Sequence, residues 1–369
     1  MQNRWSRRRF LKAAGAGGLG LLTIPALGAA RTQPRSPISH RPFDGATARF
    51  GAFCEPVTPE KGYMEALANF ETEIGRQVAV YRSYRNWGQK IINPTITHLL
   101  ERTPPPRLYL SVHAFYDSKA HNVIPWADIA SGMPAYDQQI DYWAAELAQV
   151  TAQTPVYMCF HHEPENEENK CGSPTDYQNA YWYFRNRVEA INGVTNLTWV
   201  MTYMGNTFRG KHGGPDRWWP GTPQFGLPDD QLMGVDLYNR NLCHYKQWRW
   251  FDWLAVKPWQ FAKQVDRPFF IGECGCVEGD ACNGTEPHGT AKEEWFIGPV
   301  PPPPPPGGIS ALEYMRDTAP GLGYPPLEAF CYSNVLGFNN GSYRIDTSPQ
   351  AIEGMATLAN DPFFSLPPM

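Results

Sequence analysis

The sequence has no excess of basic residues. Its 369 residues include 32 Lys and Arg against 36 Asp and Glu, a net charge of −4. A nucleic-acid-binding protein usually carries a basic balance, so this class is excluded as the leading interpretation. Hydrophobic residues make up 42% and charged residues only 18%. This composition forms a sizeable core and excludes general disorder.

Several familiar catalytic signatures are also missing. There is no Gly-x-Ser-x-Gly nucleophile elbow and no His-Glu-x-x-His zinc helix. No Cys-x-x-Cys motif is present, which argues against a redox enzyme. What is abundant is aromatic: 13 Trp, 18 Tyr and 19 Phe make up 14% of the chain. Such rings either fill a core or stack on the C–H faces of sugar rings.

The first thirty residues predict export. Residues 6–12 read Ser-Arg-Arg-Arg-Phe-Leu-Lys, which matches the twin-arginine motif, and a modestly apolar run ends in small residues at 28–30. Removing this signal peptide, 1–30, takes away five basic residues and leaves the mature chain near −9. We therefore expect a secreted or periplasmic protein with no membrane association in its mature form. Residues 31–47 read as a linker and residues 48–369 as one domain.

Eight cysteines follow the signal peptide, and an oxidising compartment permits disulfides. Cys276 and Cys282 share a short loop and are one candidate pair. Cys171 and Cys243 fall in polar segments after predicted strands and are a second. The other four lie in or beside apolar strands, as expected of buried thiols: Cys54, Cys159, Cys274 and Cys331.

Short β-rich runs alternate with helical stretches along the domain. The eight predicted strands are 50–55, 77–81, 107–113, 155–161, 197–203, 232–238, 268–273 and 327–333. The clearest predicted helices are 64–74, 137–150, 174–191 and 251–264, with Ser173 capping the third and Pro174 in its first turn. Repeating units of about 40 residues predict a single-domain α/β protein, a (β/α)8 TIM barrel. An open doubly wound sheet is the alternative, disfavoured because no glycine-rich fingerprint follows the first strand. The proline-rich segment 299–308 is expected to be an extended surface loop.

Two glutamates end apolar strands, at the position where such barrels place catalytic groups. Glu163 follows the fourth predicted strand and Glu273 ends the seventh, 110 residues or three units later. Two carboxylates about 5 Å apart across one cleft can hydrolyse a glycosidic bond with retention. One donates a proton to the leaving oxygen while the other attacks the anomeric carbon. Glu165, two residues on, is a rival for the acid.

These residues resemble family 26 of the clan A glycoside hydrolases, the β-mannanases. The resemblance rests on Phe-His-His-Glu at 160–163 and Phe-Ile-Gly-Glu at 270–273, and by strand order covers most of the mature chain. It implies that Glu163, after His162, is the acid/base and that Glu273 is the nucleophile. Val-Asp-Leu-Tyr at 235–238 resembles the family at strand six and implies that Tyr238 holds the nucleophile. Residues 343–363 resemble its closing helix.

The sequence departs from the family in its sugar contacts. Residues 164–171 are acidic and lack tryptophan, and Tyr-Ser-Asn at 332–334 stands where the family often has a tryptophan. β-Mannan is the leading polysaccharide or oligosaccharide substrate, with β-1,3-xylan and mixed-linkage β-glucan open. A barrel that binds carbohydrate without cleaving it is the non-enzymatic alternative.

Further side chains follow predicted strands and are candidate substrate contacts: His162, Arg82, Trp87, His113, Asn206, Trp218, Trp219 and Trp248. The run His161-His162-Glu163 suggests a metal cluster, but adjacent strand residues point to opposite faces, so one ion cannot easily take both histidines. We expect a monomer that needs no metal or organic cofactor.

Overall fold

The computed structural model describes residues 47–117, 122–221, 231–240, 248–278, 290–298, 308–337 and 341–365. These residues all fall within one compact unit. The predicted signal peptide, the linker up to residue 46 and residues 299–307 of the proline-rich segment lie outside them. Among the helices described, none is long and apolar enough to cross a membrane.

Eight parallel strands close a barrel, which confirms the predicted (β/α)8 fold. Around the barrel the strands run in the order β1-β10-β9-β8-β7-β6-β3-β2. Their bounds are β1 Arg49–Cys54, β2 Val80–Asn86, β3 Arg107–His113, β6 Val156–Phe160, β7 Leu197–Met204, β8 Gln231–Asn239, β9 Phe269–Cys276 and β10 Leu327–Asn334. A small antiparallel pair, β4 (Phe115–Asp117) and β5 (Asn122–Val123), follows β3.

Helices lie between the strands along the chain. They span Tyr63–Ile74, Pro94–Leu100, Trp126–Ala130, Pro134–Thr151, Glu168–Cys171, Pro174–Ala190, Phe251–Gln264, Thr290–Ile297, Ala311–Glu313, Ala319–Gly321 and Pro349–Asn360, with a π-helical turn at Tyr314–Thr318. The predicted cap is present, since the Ser173 hydroxyl accepts from the Asp176 amide and the Asp176 carboxylate accepts from the Ser173 amide.

Burial explains why these segments form strands and helices. All five residues of β6 and all eight of β10 are buried, the near-continuous pattern of parallel strands covered on both faces. The helix Tyr63–Ile74 buries residues three or four apart, one face of a helix.

Six described cysteines have free, buried thiols: Cys54, Cys159, Cys171, Cys274, Cys276 and Cys331. Both suggested disulfides include a cysteine outside the described residues, Cys282 in one and Cys243 in the other. Among the residues that the structure describes, no disulfide forms.

Candidate active site

The two predicted glutamates lie at the carboxyl ends of their strands. Glu163 comes three residues after β6 and has a left-handed backbone, with φ of 51°. Its amide donates to the carbonyl of Thr202 on neighbouring β7, at 2.9 Å. Glu273 lies within β9 and is paired in register with Asp236 of β8. Both face the end of the barrel where active sites of this fold form.

Two hydroxyl donors and one ion pair hold the Glu273 carboxylate. The Tyr84 hydroxyl donates to Oε1 at 2.5 Å, and the Tyr238 hydroxyl donates to Oε2 at 2.6 Å. A guanidinium nitrogen of Arg82 lies 2.9 Å from Oε1. Hydrogen bonds to a charged carboxylate are strong and stabilise the ionised form. The Glu273 side chain is 14% exposed, so one edge of this held anion stays accessible.

Arg82 is fully buried inside the barrel and needs a glycine beside it. Its second terminal nitrogen donates to the Gly272 carbonyl at 3.1 Å, and its Nε donates to the Tyr84 hydroxyl. A Cβ at position 272 would lie 2.8 Å from that guanidinium and 2.9 Å from Asp236 Oδ1. Gly272 is therefore the residue that lets the charged layer approach the strand carrying Glu273.

The environment of Glu163 is the opposite of that of Glu273. Burial, followed by the charges of Glu273 and Glu165, raises the pKa of Glu163 to about 8, against a lowering by Arg82 and Arg240. Glu163 therefore carries a proton at neutral pH, while donors surround Glu273. Two carboxyl groups with divided environments are the arrangement that acid and nucleophile roles require.

A third carboxyl group, Asp236, lies in the same cluster. It is buried, and neither of its oxygens has a hydrogen-bond partner. Burial, then the charges of Glu273 and Glu163, raise the pKa of Asp236 well above its usual value, against Arg82. A neutral Asp236 avoids a second negative charge beside Glu273.

Asp236 also forms the one possible metal-ligand group among the residues that the structure describes. Its ligand atoms and those of His162 and Glu163 lie within 4.8 Å of one another. A cation there would take Glu163 in its ionised form and remove the proton that an acid must donate. His161 is not part of this group; it follows the end of β6 and has a left-handed backbone, so the predicted strand alternation does not apply to it.

His113 and His162 form a pair beside Glu273. His113 Nε2 lies 2.6 Å from His162 Nδ1, and His162 Nε2 lies 3.6 Å from Glu273 Oε1. His113 Nδ1 is buried without a partner. We assign the proton to His113 Nε2, because the other tautomer would bury an unpaired N–H and aim a lone pair of His162 at the carboxylate. His162 then presents its Nε2–H toward Glu273.

Both of these histidine rings are neutral near pH 7. Burial, followed by Arg82, lowers the pKa of His113 to about 3. Burial, followed by His113 and Arg82, lowers the pKa of His162 well below its usual value.

His161 and Glu165 anchor the segment that carries the proposed acid. His161 also has a left-handed backbone, with φ of 53°, and its Nδ1 accepts from the Ala114 amide and the Trp126 indole, each at 3.2 Å. Burial raises the pKa of Glu165 to about 7.

Glu165 Oε1 accepts from the Met204 amide at 2.6 Å and the Thr207 hydroxyl at 2.7 Å. It is 1% exposed, so its placement contradicts the rival role as the acid.

Three predicted sugar contacts are core residues instead. Trp87 packs against the rings of Tyr136 and Trp143. Trp218 is fully buried against Trp126, and Trp219 packs edge-on against a phenylalanine ring. Buried on all sides, these indoles offer no face for a sugar, so the expectation of stacking was wrong for them.

The remaining candidates divide between the site and its surroundings. Arg82 and His113 lie in the site, but as partners of Glu273 and His162. Asn206 is half-buried just after β7, and its Oδ1 has no hydrogen-bond partner. Trp248 is half-buried and lines a separate pocket with Trp250.

Sequence reasoning missed Tyr84, Asp236 and Ser333. The predicted second strand ended at residue 81, whereas β2 continues to Asn86. With the longer strand, Arg82 and Tyr84 fall two residues apart and share a face, which is a signal that alternation could have supplied. The Ser333 hydroxyl lies 3.0 Å from the Tyr238 hydroxyl.

Comparison with known proteins identifies the fold. No protein-family model and no curated protein matches the chain. Solved structures do match. A β-mannanase from a symbiotic protist of the termite Reticulitermes speratus, complexed with gluco-manno-oligosaccharide, has a TM-score of 0.53 and 13% identity over 86% of this chain and 88% of that one.

The catalytic domain of the Bacillus sp. JAMB-750 GH26 endo-β-1,4-mannanase has a TM-score of 0.52 and 13% identity, over 86% and 87%. The Podospora anserina GH26-CBM35 β-(1,4)-mannanase has a TM-score of 0.52 and 12% identity, over 86% and 62%. At these identities the likeness establishes the fold, and the resemblance to family 26 is confirmed at that level.

Proposed function

We propose that this protein is a retaining endo-β-glycosidase. The observation that carries the proposal is the contrast between two neighbouring carboxyl groups. Burial raises the pKa of Glu163 to about 8 and keeps it protonated, whereas Glu273 accepts hydrogen bonds from Tyr84 and Tyr238 and pairs with Arg82. An enzyme of this class needs one acid and one nucleophile at the same pH.

The reaction then follows in two steps. Glu163 donates its proton to the glycosidic oxygen as that bond breaks, and a Glu273 oxygen bonds to the anomeric carbon to form a glycosyl ester. Glu163, now ionised, removes a proton from a water molecule whose oxygen attacks the same carbon. The ester breaks, Glu273 leaves as a carboxylate, and Glu163 regains its proton.

β-Mannan is the leading substrate. Its support is that the solved structures of similar fold are named β-mannanases, one with a gluco-manno-oligosaccharide bound. The three buried tryptophans give no further support, because they offer no sugar-binding surface. β-1,3-Xylan and mixed-linkage β-glucan are therefore tested alongside it.

We also propose that the protein is exported and that its mature form is a monomer. Residues 6–12 motivate export by the twin-arginine pathway. A fusion of residues 1–30 to a reporter tests this: Lys in place of both Arg7 and Arg8 should block export, and unchanged export would contradict it.

The decisive experiment is hydrolysis of the three β-glycans, with the anomer of the first product followed by proton NMR. We expect β-anomeric product from one of them. Glu273→Ala should abolish turnover and recover part of it with azide, which substitutes for the carboxylate. Glu101→Ala, on an exposed side chain, is the matched control. An initial α anomer would refute retention, and wild-type activity in Glu273→Ala would refute the nucleophile. Binding without hydrolysis would instead indicate a carbohydrate-binding barrel.

A further inference from the structure

A second, aromatic pocket lies beside the helix Phe251–Gln264. It has a volume of about 550 Å³, and the segment around residues 309–322 forms its other wall. Its chemically distinctive lining residues are Trp248, Trp250, Trp253, Asp252 and Tyr314. None of them belongs to the cluster around Glu273.

The tryptophan rings of this pocket are held in fixed positions. Trp248 and Trp250 meet edge to face, with centroids 6.1 Å apart. Trp250 lies so close to Gly308 that a Cβ there would fall 1.9 Å from the indole. Trp253 is 38% exposed, and its ring stacks with two guanidinium groups, Arg209 at 3.4 Å and Arg249 at 3.9 Å from its centroid, so the exposed part is the ring edge. Rigid, partly exposed indoles cost little entropy to order when they bind a ligand.

Two polar groups in the pocket have no partner. The Tyr314 hydroxyl is buried, its residue being 2% exposed, and it makes no hydrogen bond. Asp252 Oδ1 is likewise buried and without a partner. Leaving such groups unpaired is unfavourable, and native structures normally satisfy them. A ligand that pairs both a phenol and a carboxylate must carry hydrogen-bonding groups, which sugar hydroxyls supply and a purely hydrophobic ligand lacks.

The pocket is connected to the end of the barrel where Glu273 lies. The Arg249 amide donates to Asn239 Oδ1 at 3.3 Å, and Asn239 is the last residue of β8. The residue before it, Tyr238, holds Glu273. A long polymer in the cleft therefore has an accessible second contact on the same side of the molecule.

We propose that this pocket is a second carbohydrate site, which binds a pyranose unit of the polysaccharide outside the catalytic cleft. Trp248 and Trp250 present apolar ring surface to the sugar C–H groups, and Trp253 adds its exposed edge to the wall of the pocket. Tyr314 and Asp252 pair with the sugar hydroxyls. The class of polymer rests on the proposed function, but the site itself requires no catalysis.

The test measures binding in the full chain carrying Glu273→Gln, which prevents hydrolysis. Affinity electrophoresis in gels containing soluble β-mannan, β-1,3-xylan or mixed-linkage β-glucan gives the dissociation constants. Tyr314→Phe removes only the unpaired hydroxyl, and Trp253→Ala removes an exposed ring. Tyr142→Phe, which removes a tyrosine hydroxyl from an exposed position on the helix Pro134–Thr151, outside the pocket, is the control. We expect Tyr314→Phe and Trp253→Ala each to weaken binding of one polymer at least threefold, with Tyr142→Phe unchanged.

A spectroscopic readout separates the pocket from the cleft. With 5-fluorotryptophan in place of tryptophan, the Trp248 and Trp253 resonances, assigned by single substitutions, should shift on titration with β-1,4-mannohexaose or the corresponding oligosaccharide of whichever polymer binds. Unchanged affinity in both pocket variants, equal weakening by Tyr142→Phe, or no binding of any polymer would overturn the site.

The two proposals fail separately. Pocket-dependent binding by a wild-type protein that cleaves none of the glycans would refute the hydrolase and retain the site. Hydrolysis of a glycan, together with unchanged binding in the pocket variants, would refute the pocket site and retain the hydrolase.

Discussion

The guanidinium of Arg82 lies 2.9 Å from Glu273 Oε1, from a position fully buried in the barrel. The two charges differ in exposure, because the Arg82 side chain is 0% exposed and the Glu273 side chain 14%. Arg82 therefore contacts the carboxylate from its buried side, and the exposed edge of Glu273 stays accessible.

Removing Arg82 should destabilise the fold. Arg82→Met leaves Glu273 without its ion-pair partner, and breaking such a buried pair typically costs about 3–5 kcal/mol. Because Glu273 is partly exposed, we expect the lower part of this range in urea unfolding. Arg187→Met, which breaks half-exposed pairs with Asp137 and Asp141, should cost about 1 kcal/mol or less. Equal losses in both variants would contradict the structural role of Arg82.

The pH profile should report Glu163 as the acid. With its pKa raised to about 8, Glu163 is protonated below that pH, so kcat/KM should fall as the pH rises through about 8. Glu163→Gln should abolish this limb together with most of the activity. An alkaline limb that persists in a residually active Glu163→Gln would assign it to another group.

Stability should change with pH in the same range. The folded state binds the Glu163 proton more tightly than the unfolded chain, because the pKa is raised from 4.5. The free energy of unfolding should therefore decrease as the pH rises from about 5 toward 8. Glu165, with a pKa raised to about 7, acts in the same direction. Chemical unfolding of Glu163→Gln should show a shallower decrease, and an equal slope would contradict the burial of its proton.

The two tyrosines should each contribute to catalysis through Glu273. A hydrogen bond to a charged group is worth about 1.5–3 kcal/mol, so Tyr84→Phe and Tyr238→Phe should each lower kcat about 10- to 100-fold. Tyr183→Phe, which removes a tyrosine hydroxyl from Asp137 on the outer helices, should leave kcat unchanged. A change in KM alone would show that the tyrosines act on substrate binding.

The histidine pair should not titrate between pH 5 and 8. Burial holds the pKa of His113 near 3 and that of His162 well below its usual value. Long-range nitrogen–proton NMR should find both rings neutral, each with the proton on Nε2. His113→Gln, whose amide can donate to His162 Nδ1, should preserve more activity than His113→Phe. Equal activities would show that the hydrogen bond from His113 to His162 does not contribute to activity.

The barrel was predictable because its strands are nearly continuous apolar runs. Predicted strand 107–113 matches β3, and the predicted ends of 155–161 and 197–203 differ from β6 and β7 by one residue. The second strand was misplaced, because Arg82 and Arg85 read as polar residues after a strand. Both are buried within β2. The ion pair with Glu273 satisfies the Arg82 guanidinium, and backbone carbonyls accept hydrogen bonds from the Arg85 guanidinium.

Site residues could be predicted where their position at the end of a strand is enough to place them. They could not be predicted where tertiary packing determines whether a side chain reaches the cleft. Glu163 and Glu273 end apolar runs, which a single sequence reveals. Whether a tryptophan after a strand faces the cleft depends on what packs over it. For Trp218 that partner is Trp126, nearly a hundred residues earlier, and no local pattern encodes this contact.

His161 and Glu163 both have left-handed backbones. At Glu163 the proposed catalytic role requires a glutamate, whereas the backbone conformation favours glycine. Non-glycine residues in this conformation are disfavoured by roughly 1 kcal/mol each. Glycine in place of Glu163 would relax the backbone and destroy the proposed acid in a single change.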